Sequence, residues 1–216
     1  MHAVLLVLSG SSGAGKSAIR RFLFGGGSEN LAGLNLRSHD LDEHGVREDA
    51  DSEWRQRTGE EWIQRAIEYE SEGADLLLSA NLPLGEILAA PSAPKVDGIA
   101  VCLIDCRDTV RVERLRAREH PSYTDEHIWD FVLFAAWQRL HHADPRWMPE
   151  VITGHWPPMR WDRWASWTSG DPRWNVPTFD TSDLAVADSA KRVAGWAREQ
   201  IRLRDENALP LQRGRW

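Results

Sequence analysis

The string Gly10-Ser11-Ser12-Gly13-Ala14-Gly15-Lys16-Ser17 has the spacing G-x-x-x-x-G-K-[ST]. In such a string consecutive backbone N–H groups wrap a row of phosphates, the lysine reaches the β and γ phosphates, and the serine hydroxyl takes a place on Mg²⁺. That chemistry needs a strand before the loop and a helix after it, and both are legible. The apolar run at 3–8 reads as a buried strand, and 18–23, opening on Ala18, reads as the first turns of a helix. Of 26 basic residues only Lys16, Lys95 and Lys191 are lysines, so one of the three stands where a compact point charge is wanted. The string implies a nucleoside triphosphate as ligand.

The second group of candidates is carboxylate. A strand over 35–39 runs into His39-Asp40-Leu41-Asp42. Ligands of open α/β sheets bind at the carboxyl ends of strands, which turns Asp40 and Asp42 toward the γ-phosphate. One can hold Mg²⁺ while the other takes the proton of an attacking hydroxyl; the plainer alternative is that both cap the following turn. Asp105 also follows an apolar run, but at the end of the fourth strand instead of the third, and reads as a turn or helix-start residue. The third strand ends Ser79-Ala80-Asn81, whose polar groups could order a water on the metal or touch an acceptor. Arg107, Arg111, Arg114, Arg116 and Arg118 crowd one helix, with 111, 114 and 118 on one face. The bland reading, a solvated helix partnered by Glu113 and Glu119, covers two or three of them.

Short apolar runs alternating with helical periodicity must position these groups, a pattern of βα units and a parallel sheet. After a break at Gly25-Gly26-Gly27-Ser28, the spacing predicts a helix over 59–72, boxed by Thr58 and Glu61, with Trp62, Ala66 and Tyr69 on one face. A strand over 75–80, a short helix over 84–89, a loop at 91–94 and a strand over 99–104 follow. Asp108 is expected to cap a helix over 109–119, and 124–142 forms another with Phe131, Phe134, Trp137 and Leu140 on one side. A short strand at 177–179 precedes a last helix, started by Asp180-Thr181-Ser182-Asp183 and running to about 204. The tail from Asn207 is expected to fray. Only 143–176 resists the alternation.

At 216 residues, 42% hydrophobic and 27% charged, the chain suits one domain over 1–206 with a tail at 207–216. The first apolar run is too short to span a membrane and lacks the flanks of a secretion signal. Cys102 and Cys106 lie in one buried-strand pattern and read as core thiols, so a reducing, cytoplasmic setting is expected. A net charge of −7 argues against long nucleic acid as a partner. No histidine, including His39, His44, His141 and His142, stands at metal-ligand spacing with Cys or carboxylate.

The loop at 10–17, the acidic pair Asp40/Asp42, the Arg-rich helix and the ending Phe179-Asp180-Thr181-Ser182 together resemble the small-molecule kinase branch of the P-loop NTPases, which includes gluconate, shikimate and adenylylsulfate kinases and chloramphenicol phosphotransferase. The resemblance covers about 1–142 and 177–204. It implies an α/β three-layer αβα sandwich with a five-stranded parallel sheet of order 2-3-1-4-5, and ATP- and Mg²⁺-dependent transfer of a phosphoryl group to a hydroxyl. It also implies a base at the end of strand two: Asp40 on the chloramphenicol phosphotransferase pattern, favoured here, or Asp42 on the shikimate kinase pattern. Arg114 and Arg118 would hold the nucleotide and Arg116 the phosphates, within a lid at about 116–142. A nucleoside or nucleotide kinase is the alternative within the class, and a regulatory ATPase with a protein partner is the alternative outside it.

The acceptor would meet 41–64, with Arg47 and Trp54 as candidates beside Asn81. Acids lining that pocket would favour a cationic or polyhydroxylated acceptor, arginines an anionic one. Seven of the 12 tryptophans fall between 137 and 174, where Asp-Pro-Arg-Trp occurs twice, at 144–147 and 171–174. This segment could be an aromatic lid, a docking patch for a partner or a second copy, or a structural element packed by Trp161, Trp164 and Trp167.

Overall fold

A computed structural model of the chain describes residues 3–25, 31–47, 49–118 and 123–216. Strand β1 (Val4–Ser9) takes the centre of the sheet because every residue in it is buried, as a strand covered on both faces requires. It pairs with β3 (Asp75–Ser79) on one side and β4 (Gly98–Asp105) on the other. Strand β2 (Leu36–Asp40) lies outside β3, and β5 (Thr178–Asp180) outside β4. All pairings are parallel and the order is β2-β3-β1-β4-β5, as expected.

The pleat divides the core in two. Leu6, Leu8, Cys102 and Ile104 face α1 (Lys16–Phe24) and α6 (Val186–Asp205), meeting Ile19, Leu23, Val193 and Ala197. Leu5, Val7, Leu76, Leu78 and Val101 face the other way, onto α2 (Ser52–Ser71), α3 (Leu84–Ala89) and the stretch 152–174. Helices α4 (Asp108–Arg116) and α5 (Asp125–Ala143) pack on each other behind the loop at the end of β1. The chain leaves β1 toward β2 on one side and later reaches β4 on the other. The carboxyl end of β1 is therefore the switch point of the sheet, where ligands of such folds bind.

Several boundaries differ from the sequence expectation. Helix α2 starts at Ser52, because Asp51 accepts the Trp54 N–H at 2.9 Å and caps it there; the Thr58/Glu61 box falls inside the helix. Asp108 is the first residue of α4 and not its cap, and its carboxylate turns to Arg139. Helix α6 starts only at Val186, since Asp180 Oδ1 accepts the Ser182 N–H at 2.8 Å and holds a turn. The tail does not fray: Leu209 and Leu211 are buried, Ile99 N donates to Leu211 O at 3.1 Å, and Gly98 bridges Gln212. Gly98 is needed there, because a Cβ would come within 2.7 Å of Leu209 Cδ1. Cys102 and Cys106 are free and buried, as read. The break at Gly26-Gly27-Ser28 and the helix end at Glu119 lie outside the described residues.

Three indoles of the Trp-rich segment belong to the core. Trp164, Trp167 and Trp174 are buried together with Trp137 of α5, with Trp164 and Trp174 ring centroids 5.2 Å apart. A buried indole needs a partner for its N–H, and three of the four have a carbonyl: Trp164 donates to Gly85 O, Trp174 to His141 O and Trp137 to Met148 O, at 2.9 to 3.1 Å. Arg163 donates to Leu88 O and Ala90 O, satisfying the carboxyl end of α3. Gln56 of α2 donates to Ile152 O at 2.7 Å and accepts the Trp156 N–H at 2.9 Å. Of the three readings of this segment, the packing one describes what the indoles do.

Candidate nucleotide and acceptor site

The loop after β1 closes into a cradle because its glycines permit it. Gly10, Gly13 and Gly15 have φ of 147°, 82° and 102°. At Gly13 the space is also missing, since a Cβ would stand 2.9 Å from Arg111 Cγ. Gly15 then starts α1 with no side-chain cap, so the first N–H groups of the helix are left for a ligand. Ala18 is the first residue to bond back, its N–H donating to Gly15 O at 3.1 Å. The carbonyls of the loop are held from outside: Arg111 Nη1 donates to Ser11 O and Ser12 O, Arg114 Nη1 to Gly13 O, and Thr181 Oγ1 to Ala14 O. Ser11 Oγ is used as well, donating to Phe131 O of α5 at 2.7 Å.

Lys16 folds back over the loop, with Nζ 2.5 Å from Gly10 O. Burial lowers its pKa to about 8, against the pull of Asp40. A buried ammonium with two carbonyls for company is under-solvated, and phosphate oxygens would relieve that. Ser17 Oγ donates to Asp40 Oδ2 at 2.9 Å, and Arg20 Nε lies 3.9 Å from the same oxygen. Asp42 is two residues on. Its pKa is raised by burial and by the neighbouring Asp40 charge. The pairing of Asp40 with Ser79 places Asp42 and Asn81 each two residues beyond that register, at adjoining strand ends. Asn81 Oδ1 and Ser79 Oγ are buried without a hydrogen-bond partner.

These groups share one cleft of about 660 Å³, open solvent included, lined by Ser12, Gly13, Gly15 to Ala18, Asp40, Asp42, Asn81, Arg21, Arg118 and Tyr123. Arg118 stands on the rim, donating to Tyr123 Oη at 3.0 Å. The remaining candidates lie elsewhere. Arg116 is two residues, about 200°, around the helix from Arg114; it is exposed and pairs with Asp125. Arg47 is exposed and bound to Asp49 at 2.8 Å. Trp54, half-buried on the first turn of α2, is not among the lining residues. Arg114 lies behind the loop, bonded to Gly13 O, Thr181 Oγ1 and Thr181 O. Asp105 is the last residue of β4 and not a helix start, and it pairs with Arg111 and Arg139.

Three residues escaped the sequence reading. Arg111 was grouped with the helix arginines, yet it is fully buried. Its position three residues before Arg114 was the available signal. Thr181 was read as a helix start, and Tyr123 had no signal at all.

No protein-family model and no curated protein sequence matches this chain. Among solved structures it is similar to a chain of the Pnkp1/Rnl/Hen1 RNA repair complex, at 16% identity and a TM-score of 0.48 over 65% of this chain. It spans only 46% of that chain's length. It is similar over 91% of its length to 99% of an uncharacterized protein from Eubacterium ventriosum, at 10% identity and a TM-score of 0.46. A kinase candidate from Chloroflexus aurantiacus is matched over 93% of this chain and 99% of that one, at 16% identity and a TM-score of 0.44. Likeness of this degree concerns only the fold. The fold itself is a three-layer α/β sandwich on a five-stranded parallel sheet, with the Trp-rich segment before its last strand.

Proposed function

We propose that this chain is a kinase that moves the γ-phosphoryl group of Mg–ATP to a hydroxyl of a small molecule. One observation carries the reading: the phosphate cradle, the Ser17–Asp40 pair and a second carboxylate of raised pKa open into a single cleft. Phosphoryl transfer asks a protein for positioning, charge neutralisation and a group to take the acceptor's proton. Lys16 and the loop amides hold the β and γ phosphates. Ser17 Oγ and the Asp40 carboxylate are hard oxygen donors side by side, a set that suits Mg²⁺. When bound there, Mg²⁺ supplies neutralising charge to the phosphate oxygens.

The base is Asp42, although the sequence favours Asp40. Asp40 is engaged by Ser17 and approached by Arg20, whereas the Asp42 carboxylate makes no ion pair among the described residues. A carboxylate pushed up toward neutrality is the better acceptor of a hydroxyl proton. Arg118 on the rim closes over the transferred group as a permanent planar cation.

The acceptor is neutral or cationic. The arginines of 41–64 that could recognise an anion are each spent on a carboxylate: Arg47 on Asp49, Arg55 on Glu86 and Arg57 on Glu53. At the strand end adjoining Asp42 stands Asn81, whose buried Oδ1 has no hydrogen-bond partner and asks for a donor. Polyhydroxylated or amino-bearing molecules supply one, which favours sugar-like and antibiotic-like acceptors over nucleotides.

The test is ADP release from Mg–ATP against a panel of sugars, nucleosides and aminoglycosides, with Asp42→Asn as control. Acceptor-dependent release that drops about 10²- to 10⁴-fold in the variant, with Mg–ADP affinity kept, is the expected outcome. Slow release that no acceptor changes would overturn the reading and favour a regulatory ATPase.

A further inference from the structure

Arg111, on α4, is the largest fully buried side chain among the described residues. Its guanidinium is used as a fork. Nη1 donates to Ser12 O at 2.6 Å and to Ser11 O at 3.2 Å, and Nη2 donates to Asp105 Oδ1 at 2.5 Å. The other oxygen of Asp105 accepts from Arg139 Nε at 2.7 Å, and Arg139 continues to Asp108. A chain of alternating charges thus runs from α5 through the end of β4 to the back of the phosphate loop.

The consequence follows from the planarity of the peptide. Within one peptide unit C=O and N–H point in opposite directions, so fixing the oxygen of residue i aims the hydrogen of residue i+1. Holding Ser12 O from behind turns the N–H of Gly13 toward the cleft that Gly13 lines, while Ser11 O is shared between Arg111 at 3.2 Å and Lys16 Nζ at 3.3 Å. Thr181 does the same for Gly15 by holding Ala14 O at 2.8 Å. The geometry fits an arginine and not a lysine, because one planar group must reach two carbonyls and a carboxylate together. Asp105 neutralises the cation, so a desolvated charge can stand there at all.

We infer that Arg111 is a positioning residue for nucleotide binding: from behind the loop, anchored by Asp105 and Arg139, it sets the direction of the amides that receive the phosphates. The inference rests on the reading of the cleft as a nucleoside triphosphate site. It assigns a role to three charged residues that the phosphoryl-transfer scheme leaves idle, Arg111, Asp105 and Arg139, and it makes α5 part of the loop's support.

The experiment compares wild type, Arg111→Lys and Asp105→Asn by calorimetric Mg–ADP binding and by amide hydrogen exchange of the peptide spanning the loop. Loss of a charged hydrogen-bond network of this kind corresponds to about a tenfold or greater change. The expected result is Mg–ADP affinity about tenfold weaker in Arg111→Lys, with loop amides exchanging about tenfold faster while those of β1 and α6 keep wild-type rates. A role in bulk stability alone would speed exchange across the sheet and the loop alike, and that pattern overturns the inference. So does wild-type affinity with wild-type loop exchange. If Arg111→Lys does not fold, Asp105→Asn, which preserves volume and one acceptor, decides by the same two readouts. If wild type itself binds no Mg–ADP, the nucleotide reading and the inference built on it fall together, whereas binding lost only in the variants leaves the first standing and supports the second.

Discussion

The phosphate loop and the Trp-rich segment are both irregular backbone, and they are held in opposite ways. The loop is fixed by charge: arginines 111 and 114 and Thr181 grip its carbonyls, and no large apolar side chain of its own enters the core. The segment after α5 is fixed by buried indoles whose N–H groups reach backbone carbonyls of α3, α5 and Met148. The first arrangement leaves donors facing outward for a ligand. The second turns the indole N–H groups of Trp137, Trp164 and Trp174 inward onto carbonyls and builds the wall behind α3. Damage to the one should cost binding with little change in stability, and damage to the other should do the reverse.

The largest separation comes from Lys16→Ala. Removing the ammonium of the cradle should lower nucleotide turnover by roughly 10²- to 10³-fold, as losing a preorganised donor to developing charge does. The thermal midpoint should hold or rise, since burial disfavours the charged form of this lysine, lowering its pKa to about 8. A midpoint that collapsed together with activity would show that the loop is structural, and the contrast would fail.

Trp174→Ala should behave as the mirror image. The ring is buried against Trp164 and Trp167, and truncating it leaves a cavity that costs about 3–4 kcal/mol. In a chain of this size that amounts to a midpoint lower by about 10 °C. Turnover per folded molecule should stay within a factor of about two below that temperature, as the cleft lining contains no residue of the segment. A large fall in kcat with an unmoved midpoint would restore the lid reading.

A smaller effect separates the regions by pH. His141 and His142 are buried beside the indoles, and burial lowers their pKa values to about 4 and about 3. In the unfolded chain both take up protons below about pH 6.5, while the folded chain resists. Their contribution is therefore complete above that pH and is lost as pH falls toward the folded values, by about 2 kcal/mol per imidazole between pH 7 and pH 5. Chemical denaturation of His142→Gln across that range should show a flatter pH dependence than wild type by about that amount. Identical slopes would place these rings in contact with water.

What was legible in the sequence follows the same divide. The loop at 10–17 could be read because its chemistry fixes residue types at fixed spacing, and the strands themselves could be read from apolar runs such as 3–8 and 99–104, whereas their order was only what the family resemblance implied. Asp40, Asp42 and Asn81 were legible as strand ends. Arg116 was not distinguishable from Arg118, because only the angle about α4 and the course of the chain past Ala117 decide which faces the cleft. Arg111 was hidden for a related reason: an arginine three residues before another looks like a solvated face until its carboxylate and carbonyl partners, six and about a hundred residues away, are in place. The indoles of 161–174 carry no period, so the sequence left lid, docking patch and core open. The tail was misjudged because two leucines at 209 and 211 are weak evidence until a glycine at 98 makes room for one of them.

The repeated tetrapeptide gives the finest form of the contrast, and the smallest expected effect. In both copies the Asp accepts the arginine N–H at 2.9 Å and grips its guanidinium, and the Trp N–H donates to the Asp carbonyl at 3.0 and 2.9 Å. Local sequence therefore dictates the same turn twice. Surroundings differ: Trp174 is 5% exposed and Trp147 is 45% exposed. Trp147→Ala should cost less than about 1 kcal/mol by chemical denaturation, against the several lost at Trp174, because the turn survives and little apolar contact is removed. Since His141 Nδ1 bonds the Trp147 backbone carbonyl at 3.0 Å and not its ring, truncating the ring should leave that link intact. An equal loss at both positions would mean that the turn itself depends on the indole, and that the segment is held locally as well as by burial.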